Sequence, residues 1–374
     1  MEYTKSLLHH PRRQEVITQI SLKQLVKWDI TAQPKIIGEM QLSSSISKHW
    51  TASPSAVLLP DLERIAVVQC HLEQNYLEIY AWEDFRLIES IVIPPLSSPD
   101  LEDEFLSKND QNPEITHLNI TACGTYLYLV GEDGQVCLYH LTQHRWLHLT
   151  AMSFVCHHKI IFDRTLRLMV VEAADIDLAY SIYRIDDLEQ NRLTLIGQFM
   201  EVSDCHRGEL QLHPRTNAIV WTGYHCRIKY HTFQTEQLPA APEVEYCFSS
   251  CDPYLDQQWG INFPYIQHPR SQGLWRSCLA FPDADTLLFG AGFAIVQINV
   301  TDGRVIAEYQ TQSIIHEIEY DADRLRVIAI TNDGLILIPI SDFDPTTPYL
   351  QSLSLPPAAQ IYPATPPSKG SAAP

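Results

Sequence analysis

Residues 115–152, ITHLNITACGTYLYLVGEDGQVCLYHLTQHRWLHLTAM, constrain the fold more than any other stretch of this chain. They read as four short strands in succession. Residues 115–120 alternate apolar and polar, the turn TACGT follows, and 125–130 alternate again. Asp133-Gly134 is a tight-hairpin signal, because glycine takes positive φ without steric cost. Residues 135–141 and 145–151 supply the third and fourth strands. A meander with two apolar faces cannot bury both by itself, so it needs neighbours of its own kind.

The pattern recurs. Turns like the first one lie in LLPDLERIAVV from Leu58, IFDRTLRLMVV from Ile161, LHPRTNAIVW from Leu212, AFPDADTLLF from Ala280 and EYDADRLRVIAI from Glu319. The third strand has its own register, a large residue, any residue, then an apolar one. Its members begin at Trp28, Tyr80, Tyr139, Tyr183, Tyr230, Ile298 and Ile338, separated by 52, 59, 44, 47, 68 and 40 residues. Such spacing fits a fixed unit with variable connections. A chain of 374 residues would otherwise suggest two or three domains. Four-strand repeats of this length imply instead an all-β fold, a single closed β-propeller over 1–355. Seven four-stranded blades are expected, at about 1–45, 54–93, 115–151, 157–199, 208–245, 275–310 and 314–355, with six blades as the alternative. The HHPRR insert interrupts the first blade, and part of this segment could instead complete the last one. The seventh takes its fourth strand from YLQSLSL, 349–355. Residues 356–374, rich in Pro, Ala and Ser, are expected to be a disordered tail.

Charge narrows the partners. The chain carries −19 overall, and outside residues 1–50 the balance is 19 basic against 41 acidic. Phosphate binding needs a basic face, so nucleic acid is not the expected ligand. No apolar run is long enough to span a membrane, and the amino terminus lacks a signal-peptide core. The nine cysteines are scattered. A cytoplasmic protein with reduced thiols is therefore expected.

Two connections stand out, both placed between a fourth strand and the next first strand. Residues 94–114 hold Asp100, Glu102, Asp103 and Glu104. Residues 246–274 hold Tyr246, Phe248, Tyr254, Trp259, Phe263 and Tyr265, with Arg270 near the end. All such connections leave a ring of meanders on one face, so an acidic and an aromatic lobe would flank the channel mouth. Trp259, Phe263, Tyr265 and Arg270 have the composition of an interaction hot spot. Packing on their own blade tops is the competing account.

Catalytic motifs are missing from the sequence: no G-x-S-x-G, H-E-x-x-H or P-loop occurs. The Cys-His neighbours (Cys70-His71, Cys156-His157, Cys205-His206, His225-Cys226) point to opposite faces of extended chain and lie about one blade apart. They read as core thiols and turn-satisfying histidines rather than a metal site. Asp61, Asp163, Asp283 and Asp321 read as turn caps. The Trp/Tyr column reads as packing between blades.

The unit resembles the WD40-type repeat. Gly131-Glu132-Asp133-Gly134-Gln135-Val136 looks like the turn before that family's third strand. Trp28-Asp29 falls where the family carries its Trp-Asp pair; the other six positions hold Tyr four times and Ile twice. The family's Gly-His pair is replaced by Cys156-His157, Cys205-His206, His117 and His316 nearby. The resemblance implies a noncatalytic scaffold, a propeller subunit of a multiprotein assembly. It carries over no binding residue and no cofactor. The expected partner is a protein or peptide with a basic segment. A lyase or hydrolase with a channel-mouth site is the alternative.

Overall fold

The computed structural model describes residues 7–21, 24–42, 56–71, 74–94, 115–131, 136–149, 157–174, 178–201, 210–216, 218–223, 227–233, 255–262 and 277–345. They form seven antiparallel sheets. Sheet one is β1 (Leu7–His9), β2 (Glu15–Ser21), β3 (Gln24–Asp29) and β4 (Lys35–Gln41). Sheet two is β5 (Ala56–Leu58), β6 (Arg64–His71), β7 (Gln74–Ala81) and β8 (Leu87–Val92). Sheet three is β9 (Ile115–Ile120), β10 (Tyr126–Gly131), β11 (Val136–His140) and β12 (Arg145–Leu149). Sheet four is β13 (His157–Phe162), β14 (Leu168–Ala174), β15 (Leu178–Asp187) and β16 (Arg192–Glu201). Sheet five is β17 (Leu210–Leu212), β18 (Ile219–Gly223), β19 (Arg227–Phe233) and β20 (Leu255–Asn262). Sheet six is β21 (Ser277–Ala280), β22 (Thr286–Ala291), β23 (Ala294–Asn299) and β24 (Val305–Gln310). Sheet seven has three strands, β25 (Ile315–Asp321), β26 (Arg326–Thr331) and β27 (Gly334–Pro339). Among the described residues no helix is long and apolar enough to cross a membrane.

Three boundaries differ from the sequence expectation. HHPRR is no insert. His10-Pro11-Arg12 opens the turn between β1 and β2, and all four strands of sheet one pair with one another rather than with sheet seven. The fourth strand of sheet five is Leu255–Asn262, not a segment within 234–245. Pro239 and Pro242 explain why: each lacks an N–H and fixes φ, whereas LDQQWGIN offers an unbroken ladder. In sheet seven, a 3-10 turn at Ile340–Asp342 follows β27, and Asp344 then pairs with Glu308 on the outer edge of β24. The expected strand at 349–355 lies outside the described residues.

The seven-member column of third strands has a geometric origin. Its last residue returns a backbone N–H to the chain just before the second strand: Ile30 to Gln14, Trp82 to Glu63, Leu141 to Thr125, Ile185 to Arg167, Val300 to Asp285 and Ile340 to Leu325. Opposite the first column residue, the fourth strand carries a β-bulge. Ile37, Ile88, Ile196 and Ile306 are the extra residues beside Trp28, Tyr80, Tyr183 and Ile298. Sheet five has its bulge one residue later. A bulge bends the outer strand and increases its twist.

Each sheet shares an apolar core with the next in sequence. Ile17, Leu25 and Met40 of sheet one pack with Ile65, Val67, Tyr80 and Trp82 of sheet two. Corresponding clusters join sheets two and three, three and four, four and five, five and six, and six and seven. A seventh cluster joins the ends of the chain: Leu7, Val16 and Ile30 pack with Ile328 and Ile330. Polar links cross the same seams. Tyr128 donates to the Ile160 carbonyl at 2.7 Å. His213 Nδ1 accepts from the Arg215 and Thr216 backbone, which leaves Nε2 to donate to Ala284 O at 2.7 Å in the neighbouring turn.

Arg326 ties sheet seven to sheet one. Its Nε donates to Asp321 Oδ2 at 2.9 Å, and Nη2 donates to Gln14 Oε1 at 2.6 Å and Ile30 O at 2.9 Å. Asp321 is buried. Arg326→Ala should strand that carboxylate and lower unfolding stability by about 3–5 kcal/mol, read from denaturant titration. Lysine should recover only part, since its single nitrogen cannot reach both the Asp321 carboxylate, met by Nε, and the Gln14 and Ile30 oxygens, met by Nη2.

The same seam holds a carboxyl at a cost. Glu319 lies opposite Ile328, and burial pushes it up to about 7. The folded state thus holds a proton that the unfolded chain releases near its ordinary value of 4.5. The associated stability is full below that value and is lost as pH rises through about 7. Glu319 keeps some exposed surface, so the cost is on the order of 2 kcal/mol rather than the full shift. Glu319→Gln should raise the melting temperature at pH 8 and leave it unchanged near pH 4.5.

Candidate partner-binding surface

Trp259 sits within β20, paired with Tyr230 of β19. It is therefore part of a blade, not of a connection between blades. Phe263, Tyr265 and Arg270 lie outside the described residues, as do Asp100, Glu102, Asp103 and Glu104. The strand order also divides the aromatic stretch. Residues 234–254 join the third strand of sheet five to its fourth, whereas 263–276 join sheet five to sheet six. In a meander these two connections leave from opposite ends of the strands. Tyr246, Phe248 and Tyr254 thus do not share a connection with Phe263 and Tyr265, and the stretch is not one lobe. The acidic connection keeps its expected place between β8 and β9. Ile93 and Ile115, the apolar residues beside it, are both buried in the core of sheets two and three.

The candidate catalytic groups have structural roles. Asp163 caps its turn by accepting from the backbone of Arg167 and Leu168 at 2.7 and 2.8 Å and from the Thr165 hydroxyl at 2.5 Å. Asp61 and Asp283 accept from Glu63 N and Asp285 N in the same kind of turn. Cys137 is buried with Sγ 3.3 Å from His148 Nδ1, and burial lowers the His148 pKa. His316 Nε2 meets Asn332 Oδ1 at 2.6 Å. Among the described residues, no group of three or more His, Cys, Asp or Glu side chains converges as a metal site.

Apart from Leu325 in the turn before β26, the exposed large aliphatics among the described residues all lie on the outer strands of sheets one and two, where sequence reasoning did not look. Ile36 and Ile37 of β4 are each 44% exposed, and Leu87, Ile88 and Val92 of β8 are 47%, 45% and 53% exposed. The bulges account for four of the five. Ile36 and Ile37 together oppose Trp28, and Leu87 and Ile88 together oppose Tyr80. A bulge puts two consecutive residues against one, so strict alternation between faces fails there. The signal was present as adjacent apolar pairs, Ile36-Ile37 and Leu87-Ile88, in strands that otherwise alternate.

A buried cation supports this region from below. Lys27 Nζ donates to the carbonyls of Trp82, at 2.9 Å, and Glu83, and it lies 5.6 Å from the Phe85 ring centroid. Burial lowers its pKa. Phe85 in turn reaches toward Gly38, where an added Cβ would stand 3.5 Å from its ring. Trp82 is fully buried and donates from Nε1 to Glu15 Oε2 at 2.6 Å. These contacts join sheets one and two beneath the exposed aliphatics.

No protein-family model matches the chain, and no curated protein matches it by sequence. Solved structures do match in shape. The β-propeller domain of Myceliophteria thermophila Cps50 (Swd1) superposes with a TM-score of 0.59 at 8% identity, covering 90% of this chain and 97% of that one. Hydrazine synthase from Kuenenia stuttgartiensis superposes with a TM-score of 0.57 at 10% identity, covering 90% of this chain and 95% of that one. Identities this low speak to the fold alone. Seven sheets that each share a core with the next, and a match over nine-tenths of the chain to the Swd1 propeller domain, make this protein a β-propeller related in fold to the WD40 type.

Proposed function

We propose that the protein is a noncatalytic, cytoplasmic scaffold: a closed seven-bladed ring that holds a protein partner within a larger assembly. The observation that carries this reading is the exposure of aliphatics on the outer strands of two successive sheets, Ile36 and Ile37 on β4 and Leu87, Ile88 and Val92 on β8. Neighbouring aliphatics left exposed on one outer strand, rather than scattered singly, are a feature of interaction sites. Ring closure is supported by the core and the Arg326 bonds that join the last sheet to the first.

Charge supplies the second element of the reading. Val92 lies two residues before Pro94, where the acidic connection begins. Asp100, Glu102, Asp103 and Glu104 would draw a partner with a basic segment toward the stripe, acting more on the rate of encounter than on final affinity. Phe263, Tyr265 and Arg270 belong to the connection that leaves the strands at the same end. They would be secondary anchors. Trp259, as a strand residue, is not assigned that role.

Affinity capture from native extract, with mass-spectrometric quantification, tests the reading. Ile88→Asp combined with Val92→Asp should reduce recovery of a specific partner at least tenfold while leaving the melting temperature near wild type, because both positions are exposed. Neutralising Asp100, Glu102, Asp103 and Glu104 to their amides should slow association and flatten its salt dependence. Undiminished recovery of every partner by the Ile88/Val92 variant would remove the stripe as the docking site.

A further inference from the structure

Two of the turns that follow a sheet's first strand are capped by histidine where other sheets use aspartate. In sheet one, His10 Nδ1 accepts from Arg12 N at 3.1 Å and Arg13 N at 3.0 Å. In sheet five, His213 Nδ1 accepts from Arg215 N at 3.2 Å and Thr216 N at 3.1 Å. A backbone N–H can only donate, so in both turns Nδ1 is the unprotonated nitrogen and the ring's hydrogen sits on Nε2. Imidazolium carries a hydrogen on both nitrogens and accepts nothing. A cap of this kind therefore exists only while the ring is neutral.

The two turns differ in what they could do with an added proton. Thr216 Oγ1 lies 2.9 Å from His213 Nδ1, and a hydroxyl that donates to the neutral ring can turn and accept from the charged one. The residues after His10 are Pro11, Arg12 and Arg13, none of which carries a side-chain acceptor. A proton on His10 would set its own N–H against those of Arg12 and Arg13.

His10 also stands at a seam. Its ring meets that of Trp82 in sheet two edge-on, with centroids 4.9 Å apart, and Trp82 Nε1 returns to Glu15 Oε2 of sheet one at 2.6 Å. The ring is only 1% exposed. Burial is the largest influence on it and holds its pKa below the ordinary 6.5. The Leu62 carbonyl and the carboxylates of Glu63, from the β5–β6 turn, and Glu15 favour a proton, and Arg13 opposes one. Arg13 and Glu63 pair with each other at 2.6 Å, so their influences largely offset. The neighbouring imidazole of His9 faces the opposite seam, toward Asp321, Asp323 and Arg326.

We propose that His10 is an acid-release latch between sheets one and two. Neutral, it caps the β1–β2 turn against Trp82; protonated, it frees the turn from that seam. The ring is harder to protonate in the fold than in the unfolded chain. The stability it contributes is complete above 6.5 and is lost as pH falls through the lower folded value. Glu319 shifts global stability the other way as pH changes, so the latch is best read locally.

NMR-detected hydrogen exchange of the full chain, at about pH 7.5 and about pH 5 and corrected for the intrinsic pH dependence of exchange, provides the test. The Arg12 amide and the Trp82 indole N–H should each lose about tenfold in protection at the lower pH. The Arg215 amide should lose less, and the Leu168 amide capped by Asp163 should keep its protection. His10→Asn supplies an acceptor that does not titrate, and in that variant the Arg12 amide should be equally protected at both pH values. Unchanged protection of Arg12 and Trp82 in the wild type would overturn the proposal. So would a loss of the same size in His10→Asn, which would place the titrating group elsewhere.

Discussion

Everything in this molecule follows from a sheet that is apolar on both faces and too small to cover either. Val57, Val68 and Leu77 of sheet two look toward sheet three, while Ile65, Val67 and Tyr80 look toward sheet one. One sheet buries half of what it must, so the need passes to the next, and the next. The sequence of obligations ends only when the last sheet meets the first. Here Ile328 and Ile330 meet Leu7 and Val16 across about three hundred residues of chain. Burial at about 25 cal/mol per Å² of apolar surface is the driving term, and the polar links across seams set the register. Arg326 is the clearest case, satisfying a buried carboxylate and a backbone carbonyl of the opposite end at once.

Much of the architecture was legible in the sequence because turns and the third-strand column are local. ITHLNITACGTYLYLV shows its strands by alternation, and Asp61, Asp163 and Asp283 mark turns through short side chains that cap their own backbone. The His10 turn was missed because a histidine does there what aspartate does elsewhere. His10 Nδ1 accepts from Arg12 N and Arg13 N, as His213 Nδ1 does from Arg215 N and Thr216 N. His10-Pro11-Arg12 and His213-Pro214-Arg215 are the same device, visible only when set side by side. The fourth strand of sheet five was misplaced for a different reason. A 21-residue connection at 234–254 inside a blade hides a strand that composition alone cannot tell from a loop.

The surface was less legible than the core. Core positions obey a period, and departures from it are penalised; surface positions obey no such rule. The aliphatic stripe arose where the period breaks, at bulges, and the sequence signals a broken period only as a doubled apolar residue. The aromatic count in 246–274 had the opposite defect. It looked like one feature by proximity along the chain, but strand order sends its two halves to different ends of the sheet.

The recurring bulge bears on how the molecule lives in a crowded solution. Five of the outermost strands, β4, β8, β16, β20 and β24, are kinked where another molecule would need a straight run of amides and carbonyls. The sixth, β12, pairs evenly along its length, but it begins with Arg145, held by Glu189 of the neighbouring sheet. A propeller that shows the outer strands of its blades to solvent has thus bent or charged each of those six borders, and copies of it have no flat margin there on which to zip into fibres.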